Sequence, residues 1–462
     1  MRMKNYEEKN VLILGAARQG TALARFLSKR KANVVLNDNK PAASFDESIH
    51  ELEKAGIKTV LGEHPFSLLD ECDQVYVSGG VPLTIPILIE AQQRNIPLSN
   101  DSQVFFDEVQ ANVIGITGSA GKTTTTTLVG EITRQACKGK QRAWVGGNIG
   151  TPLITVVDEI QPDDFVVVEL SSFQLELMHS SPAIAAITNI TPNHLDRHGT
   201  MQAYTKAKAN ILAFQNTNDT AILNREDMGA WGLRENVAGK LVSFGHKASS
   251  SDTDETYFKN DEIWLRSGGK SIPICSQESI QLRGDHNIMN VLAACAITHA
   301  AGINTTAMRA GIELVKGIPH RLEFVRNWHG ADWYNDSIAT APERTMAAVH
   351  AFSAPLVLLL GGRDKKLPWD ALAKAVHSKA EHIILFGEAA NMIESALLTY
   401  EKSGLPYSLD KYARIEDAIQ AAAEIVEEGD VVLLSPGGTS YDAFVDFEER
   451  GELFKQIVES FA

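Results

Sequence analysis

A chain of 462 residues exceeds what one hydrophobic core supports and predicts about three domains at roughly 150 residues each. Hydrophobic residues make up 44% and charged residues 22%, no apolar run approaches the ~20 residues of a membrane span, and no signal-peptide stretch follows Met1, so a cytoplasmic globular protein is expected. The formal net charge of −15 excludes a general nucleic-acid binder, and Cys72, Cys137, Cys275 and Cys295 lack CxxC or metal spacing, which points to buried free thiols rather than zinc or disulfides.

In the first hundred residues Val11-Leu12-Ile13-Leu14, Asn33 to Asp38 and Gln74 to Gly80 alternate with polar, helix-like stretches. That is a βαβ pattern with a parallel sheet. Gly15-Ala16-Ala17-Arg18-Gln19-Gly20 follows the first strand and Asp38 ends the second about twenty residues on, the layout of a dinucleotide fingerprint whose middle glycine is Ala17. A redox dinucleotide is one reading; a nucleotide half such as a uridine diphosphate also suits a strand, turn and helix with a terminal acid.

Residues 114 to 127 run from an apolar strand through Gly118-Ser119-Ala120-Gly121 into Lys122-Thr123-Thr124 at a helix start. This reads as a nucleoside triphosphate site. The glycines let backbone N–H groups curl around phosphate, the helix N-terminus favours negative charge, Lys122 reaches the terminal phosphates and the Thr123 hydroxyl can ligate Mg²⁺. Ile116 stands where the usual P-loop has its first glycine, so the loop is a shortened G-x-x-G-K-T form.

Phe165 to Leu170 and Ile184 to Ile190 are nearly all apolar before a polar end, as in a sheet covered on both faces. Glu169, at such an end and followed by Ser171-Ser172-Phe173-Gln174, is placed to hold magnesium directly or through water; the alternative is a surface acid. In Asn193-His194-Leu195-Asp196-Arg197-His198, His194 is a second metal ligand, a base or a capped turn residue. Lys208, taken alone, is a solvated helix lysine like Lys206 beside it. Residues 246 to 262 read as an exposed polar excursion, a helical stretch runs from Asn287 to Ala300, and a boundary is expected at Gly317-Ile318-Pro319. The last third repeats the α/β rhythm at Leu356 to Gly362, Ile383 to Gly387 and Val431 to Ser435.

Together, Thr117 to Thr124, Asn148-Ile149-Gly150, Glu169 to Leu175, Asn193 to His198, His286-Asn287, His320-Arg321 and Asn335-Asp336-Ser337 resemble the Mur ligase family of ATP-dependent amide-bond-forming enzymes. The Ser-Ser-Phe-Gln-Leu-Glu string and Ser435 to Phe447 are similar to the branch that adds D-glutamate to UDP-N-acetylmuramoyl-L-alanine in peptidoglycan precursor synthesis. The resemblance implies an α/β protein of three domains. Residues 1–104 would form a Rossmann-like domain for the UDP-substrate, 105–317 a central P-loop ATPase-type domain with a parallel or mixed sheet, and 318–462 a Rossmann-like domain for the amino acid.

It also implies ATP with two Mg²⁺ ions and a Lys208 carboxylated by CO₂ to a metal-bridging carbamate. Lys122, His194 and Lys208 would be the catalytic set, with Thr123 and Glu169 on one metal and His194 helping to hold the second. Asn148 would contact phosphate, Asn287, Arg321 and Asp336 the nucleotide, Asp38 the neighbourhood of uracil and Ser171 the substrate. Thr340, Lys365, Ser440 and Phe447 would surround the amino acid's two carboxylates, with Lys366 leaving the choice of lysine open. The family's commoner string Asn-Asp-Ser-Lys-Ala-Thr-Asn reads here Asn335-Asp336-Ser337-Ile338-Ala339-Thr340-Ala341, one cation and one amide fewer. Small-molecule substrates are the expected partners of a monomer, without nucleic acid or membrane. A relative adding L-alanine, a folate-extending ligase, a P-loop switch and an NAD-dependent oxidoreductase are the competing readings; the hundred residues ahead of Gly115 speak against folate.

Overall fold

The computed structural model describes residues 5–45, 48–250, 253–282, 285–317, 319–365, 367–400 and 406–461. Ile318 of the expected boundary and Lys366 therefore lie outside the described residues, as does the side chain of Asp196. The chain forms two compact units, Met1–Val315 and Lys316–Ala462.

The first unit carries two sheets. Strands β1 (Asn10–Leu14), β2 (Asn33–Asp38), β3 (Lys58–Leu61), β4 (Gln74–Val77) and β5 (Leu98–Ser99) form a parallel sheet in the order β3-β2-β1-β4-β5. The order reverses between β1 and β4, which opens a crevice at the carboxyl ends of those strands. The helix Arg18–Lys29 covers one face, burying Leu23, Phe26 and Leu27 at helical spacing. Its approach is close. A Cβ added at Gly20 would stand 1.8 Å from the Gly15 carbonyl oxygen, and Gly15 itself has φ +99°, so both positions require glycine.

The second sheet is built from β6 (Val113–Thr117), β7 (Ala143–Gly147), β8 (Phe165–Glu169), β9 (Ile184–Ile187), β10 (Thr220–Asn224), β11 (Lys240–Gly245), β12 (Glu255–Lys259), β13 (Glu262–Ser267) and β14 (Lys270–Ser276), in the order β14-β13-β12-β11-β10-β9-β6-β8-β7. Pairing is parallel from β7 to β12 and antiparallel across β12, β13 and β14. The stretch 246 to 262 is thus not a simple excursion. It supplies β12, and its polar Glu255 is buried between Arg225 at 2.8 Å and Arg266 at 2.9 Å. Helices Asp285–Ala300 and Thr305–Leu314 pack on the helix Lys122–Ala136, joining Val291, Leu292 and Met308 to Leu128, Val129 and Ile132 in one core.

The second unit holds β15 (Glu323–Trp328), β16 (Ala331–Asn335), β17 (Leu356–Gly361), β18 (Ala380–Phe386), β19 (Ser408–Tyr412) and β20 (Val431–Gly437), ordered β15-β16-β20-β17-β18-β19. Among these strand pairs β15–β16 is antiparallel and the others are parallel. Strands β17 and β20 are buried along their whole length, as strands with helices on both faces must be. All four cysteines are free; Cys275 and Cys295 are buried, with burial pushing the Cys275 thiol up to about 12, while Cys72 and Cys137 are half-buried.

Candidate active site

Strand β6 is buried throughout and delivers the chain into the loop 118–121 ahead of the helix Lys122–Ala136. A Cβ on Gly118 would lie 1.9 Å from Thr188 Oγ1, and one on Gly121, at φ +79°, would lie 2.4 Å from Asn290 Oδ1. The loop is held from the end of β9: Ala120 N–H donates to Asn189 Oδ1 (2.8 Å), Ser119 N–H to the Asn189 carbonyl (3.0 Å), and Asn189 Nδ2 to the Ala120 carbonyl (2.9 Å). The first-turn N–H groups of a helix lie beyond the intrahelical ladder and favour an anion at such a corner. Asn287 is tied to this corner because its Oδ1 accepts from Asn290 Nδ2 at 2.8 Å.

Two ammonium groups meet on one loop carbonyl. Lys122 Nζ donates to the Gly118 oxygen at 3.0 Å and Lys208 Nζ to the same oxygen at 2.8 Å, with Thr117 Oγ1 3.4 Å from Lys208 Nζ. Lys208 is only 1% exposed. Burial, with Lys122 as the next cause, brings its amine down to about 7, against a smaller upward pull from Glu169. Lys206, two residues earlier, is exposed. Tyr204, on the same helix Met201–Ala209, shares a 2.9 Å hydrogen bond with Ser119 Oγ.

Glu169 is 1% exposed at the end of β8; its Oε2 accepts from Thr123 Oγ1 at 2.9 Å and its Oε1 from Asn148 Nδ2 at 3.0 Å. The paired hydroxyl and carboxylate oxygens are the hard donors that Mg²⁺ takes, and Mg²⁺ ordinarily fills its remaining positions with water and phosphate. Among the described residues no cluster of three or more His, Cys, Asp or Glu stands at metal spacing. The Thr123 hydroxyl and Glu169 carboxylate fit a magnesium shared with a phosphate ligand.

His194 caps the short helix Leu195–His198 in a left-handed conformation, φ 53°, with its ring edge-on to Phe173 at 5.1 Å. His198 stacks on the same Phe173 ring at 5.1 Å, lies 2.9 Å from Ser172 Oγ through Nε2 and 3.1 Å from Glu176 Oε1 through Nδ1. Ser171 is engaged in a capping box with Gln174 at the start of the helix Ser172–Leu175. In the first sheet the Asp38 carboxylate accepts N–H groups from Ala16 (2.8 Å) and Lys40 (2.9 Å), pinning the turn after β1 to the end of β2.

In the second unit, Asp336 accepts from Ser435 Oγ at 2.7 Å and from the Leu322 N–H at 3.1 Å, and burial raises its carboxyl to about 6 while Arg321 opposes the rise. Lys365 Nζ donates to Thr340 Oγ1 at 3.2 Å; burial, then Arg344 and Arg450, pull its pKa below the ordinary lysine value. The carbonyl of Phe447 accepts from Ser337 Oγ at 2.8 Å, and buried Ser440 accepts the N–H of Phe444 at 2.9 Å. Arg450 was given no role by the sequence reading. It is fully buried, donating to Ser337 Oγ (3.0 Å), the Ser337 carbonyl (2.8 Å) and the Gly438 carbonyl (3.3 Å), and so holds the turn after β16 to the turn after β20. The available signal was an arginine three residues after Phe447 and four before Phe454, on the buried face of the helix Phe447–Ser460.

The P-loop corner, with Glu169 on Thr123 and the Lys208 amine under Gly118, is built for a nucleotide with magnesium, and three domain matches together with close relatives show that the chain belongs to the Mur ligases. Its residues 9–100 match the Mur ligase MurD-like N-terminal domain, 116–298 the Mur ligase middle domain and 320–438 the Mur ligase glutamate ligase domain. It is 39% identical to the UDP-N-acetylmuramoylalanine--D-glutamate ligase of Symbiobacterium thermophilum, across 98% of both chains. It is 36% identical to the enzyme of that name from Pelotomaculum thermopropionicum, across 99% of this chain and 98% of the relative. The fold is shared with a solved UDP-N-acetylmuramate-alanine ligase MurC from Thermotoga maritima (TM-score 0.56, 18% identity, 98% and 99% of the two chains) and with MurF from Acinetobacter baumannii (TM-score 0.57, 17% identity, 99% and 93%). Membership in this family sets aside the oxidoreductase and switch readings. No helix among the described residues is long and apolar enough to cross a membrane.

Proposed function

We propose that this chain joins D-glutamate to UDP-N-acetylmuramoyl-L-alanine at the expense of ATP, in the cytoplasm, as a step of peptidoglycan precursor synthesis. The observation that carries the reading is a second lysine, this one buried: Lys208 shares the Gly118 carbonyl with half-buried Lys122 beside Thr123 and Glu169. A plain P-loop ATPase has no need to bury a second amine there at the cost of desolvation. The names of the 36–39% identical relatives support D-glutamate as the incoming amino acid.

A carboxylate is a poor electrophile. The alanyl carboxylate therefore takes the γ-phosphoryl group of ATP, the amine of D-glutamate attacks the resulting acyl phosphate, and the tetrahedral intermediate expels phosphate as the nitrogen loses its proton. Negative charge gathers on the transferring oxygens in both steps, and Lys122 with the N–H groups of the P-loop helix would stabilise it where it develops. Thr123 and Glu169 would hold a magnesium ion, and His194 with Lys208 a second one; bound there, the metal would supply Lewis-acid polarisation of the phosphate oxygens. A neutral Lys208 amine would add CO₂ and release a proton, becoming the carbamate that gives the second position an anionic oxygen.

Residues 1–104, 105–317 and 318–462 would serve the UDP-substrate, ATP and the amino acid in turn. Asp38 and Ser171 would border the first, Gly118 to Thr124, Asn148, Asn287, Arg321 and Asp336 the second, and Thr340, Lys365, Ser440 and Phe447 the third. A cation such as Lys365 suits a dianionic amino acid. The test is phosphate release from ATP with UDP-N-acetylmuramoyl-L-alanine, scanning D-glutamate, L-glutamate and L-alanine with product mass. Turnover confined to D-glutamate and a product heavier by one glutamyl unit is expected; turnover with another amino acid only would move the specificity, and none would overturn the proposal.

A further inference from the structure

The ligase chemistry leaves one contact of the first unit unused. Arg197 donates Nη1 to the Gly80 carbonyl at 3.3 Å and Nη2 to the Val81 carbonyl at 3.2 Å, while its guanidinium carbon lies 4.1 Å from the centre of the Phe173 ring. The two carbonyls belong to the turn leaving β4. Ser78 Oγ donates to the Gly15 carbonyl at 3.2 Å, so this turn and the turn after β1 flank the crevice where the strand order reverses. Open α/β sheets bind nucleotides at such a point.

On the other side, Phe173 is the hub for both histidines of the 193–198 segment, edge-on to His194 and stacked with His198. It lies four residues past Glu169, and the residue after it, Gln174, is anchored by Nε2 to Ser102 Oγ at 2.8 Å. The planar side chain of Arg197 thus touches the turn leaving β4 with its N–H groups and the Phe173 ring, on which both histidines of its own segment rest, with its guanidinium. A lysine ammonium has no plane to stack while its N–H groups point elsewhere.

We infer that Arg197 is a positioning residue that couples a nucleoside diphosphate in the β1/β4 crevice to the placement of His194 and the Glu169 strand end. The diphosphate orders the turns after β1 and β4, the Gly80 and Val81 carbonyls fix the guanidinium, and the guanidinium holds the Phe173 ring against which His194 rests. Occupancy of the first sheet then tightens the 171–176 and 193–198 segments, whose contacts the structure already shows. This rests on the reading of the first sheet as the UDP-substrate site.

The experiment is hydrogen–deuterium exchange of the full chain with UDP alone, which lacks the sugar and alanyl tail that would reach the second sheet directly. In the wild type, UDP is expected to slow exchange at residues 78–82 and also at 171–176 and 193–198. In Arg197→Lys and in Phe173→Leu, the slowing at 78–82 should remain and that at the two remote segments should vanish, with melting temperatures near wild type. In turnover, Arg197→Lys should raise KM for UDP-N-acetylmuramoyl-L-alanine about tenfold, as for the loss of ~1.4 kcal/mol, and leave KM for D-glutamate unchanged. Remote slowing that survives in both variants overturns the coupling, as does slowing confined to 78–82 in the wild type. No slowing at 78–82 in the wild type removes the nucleotide reading of the crevice, and the coupling with it.

Discussion

Lys206 and Lys208 stand two residues apart on one helix, and nothing in their types distinguishes them. Burial does. Lys208 lies under the P-loop with its amine brought down to about 7 from an ordinary 10.5, chiefly by desolvation. The folded state therefore binds fewer protons than the unfolded chain between about pH 7 and 10.5, so this group makes stability rise with pH through that window; below about pH 7 its full penalty is present. Lys208→Met, which keeps the stem and removes the charge, is expected to abolish most turnover while raising stability on the order of 1–3 kcal/mol at pH 6. Urea unfolding should show that gain shrinking towards pH 10, and a stability loss at pH 6 would count against the buried charged amine. Glu169 and the Lys122-Thr123 pair were legible in the sequence because strand, loop and helix start are contiguous there. Arg197 and Arg450 were not, and Lys208 entered only through the family resemblance, because what these side chains do lies in carbonyls far along the chain: Gly80 with Val81, Ser337 with Gly438, and Gly118.

At the level of elements, the strand-to-helix corner at 113–124 and several parallel strands of each sheet could be read from apolar runs that end in glycine or a polar residue, while shorter strands such as β3, β7 and β10 were not named. The stretch 246 to 262 reads as loop. A strand that buries a glutamate between two arginines has neither an apolar run nor clean alternation, so β12 looked like loop; only the long-range ion pairs from Arg225 and Arg266 explain it. The P-loop corner itself is set by space. Gly118 has no positive φ, yet an added methyl would meet the Thr188 hydroxyl at 1.9 Å. Gly118→Ala should cost roughly 1–3 kcal/mol by overpacking and weaken binding of a non-hydrolysable ATP analogue on the order of tenfold or more. Titration calorimetry checks it; unchanged affinity would show that β9 gives way and that the contact does not shape the loop.

For the molecule as a whole, a formal charge of −15 would be set against proposed substrates that are all anions, so their binding falls to a few lysines, arginines and helix ends rather than to a general field. The division into Met1–Val315 and Lys316–Ala462 is less local than the motifs suggest. The helix that begins at Lys122 buries Leu128, Val129 and Ile132 against helices ending at Ala300 and Leu314, and Asn290 meets the loop at Gly121. The order of synthesis therefore matters. About a quarter of the way along the chain the ribosome has already made the nucleotide loop, but the walls that finish it arrive only with the residues up to 314, leaving a long interval in which apolar surface is uncovered. A fragment ending at 280 should accordingly be insoluble or chaperone-bound and fail to take up an ATP analogue, whereas one ending at 317 should be soluble and take it up without making amide. Equal behaviour of the two fragments would mean that the late helices are dispensable, and that the newborn chain is safe long before they emerge.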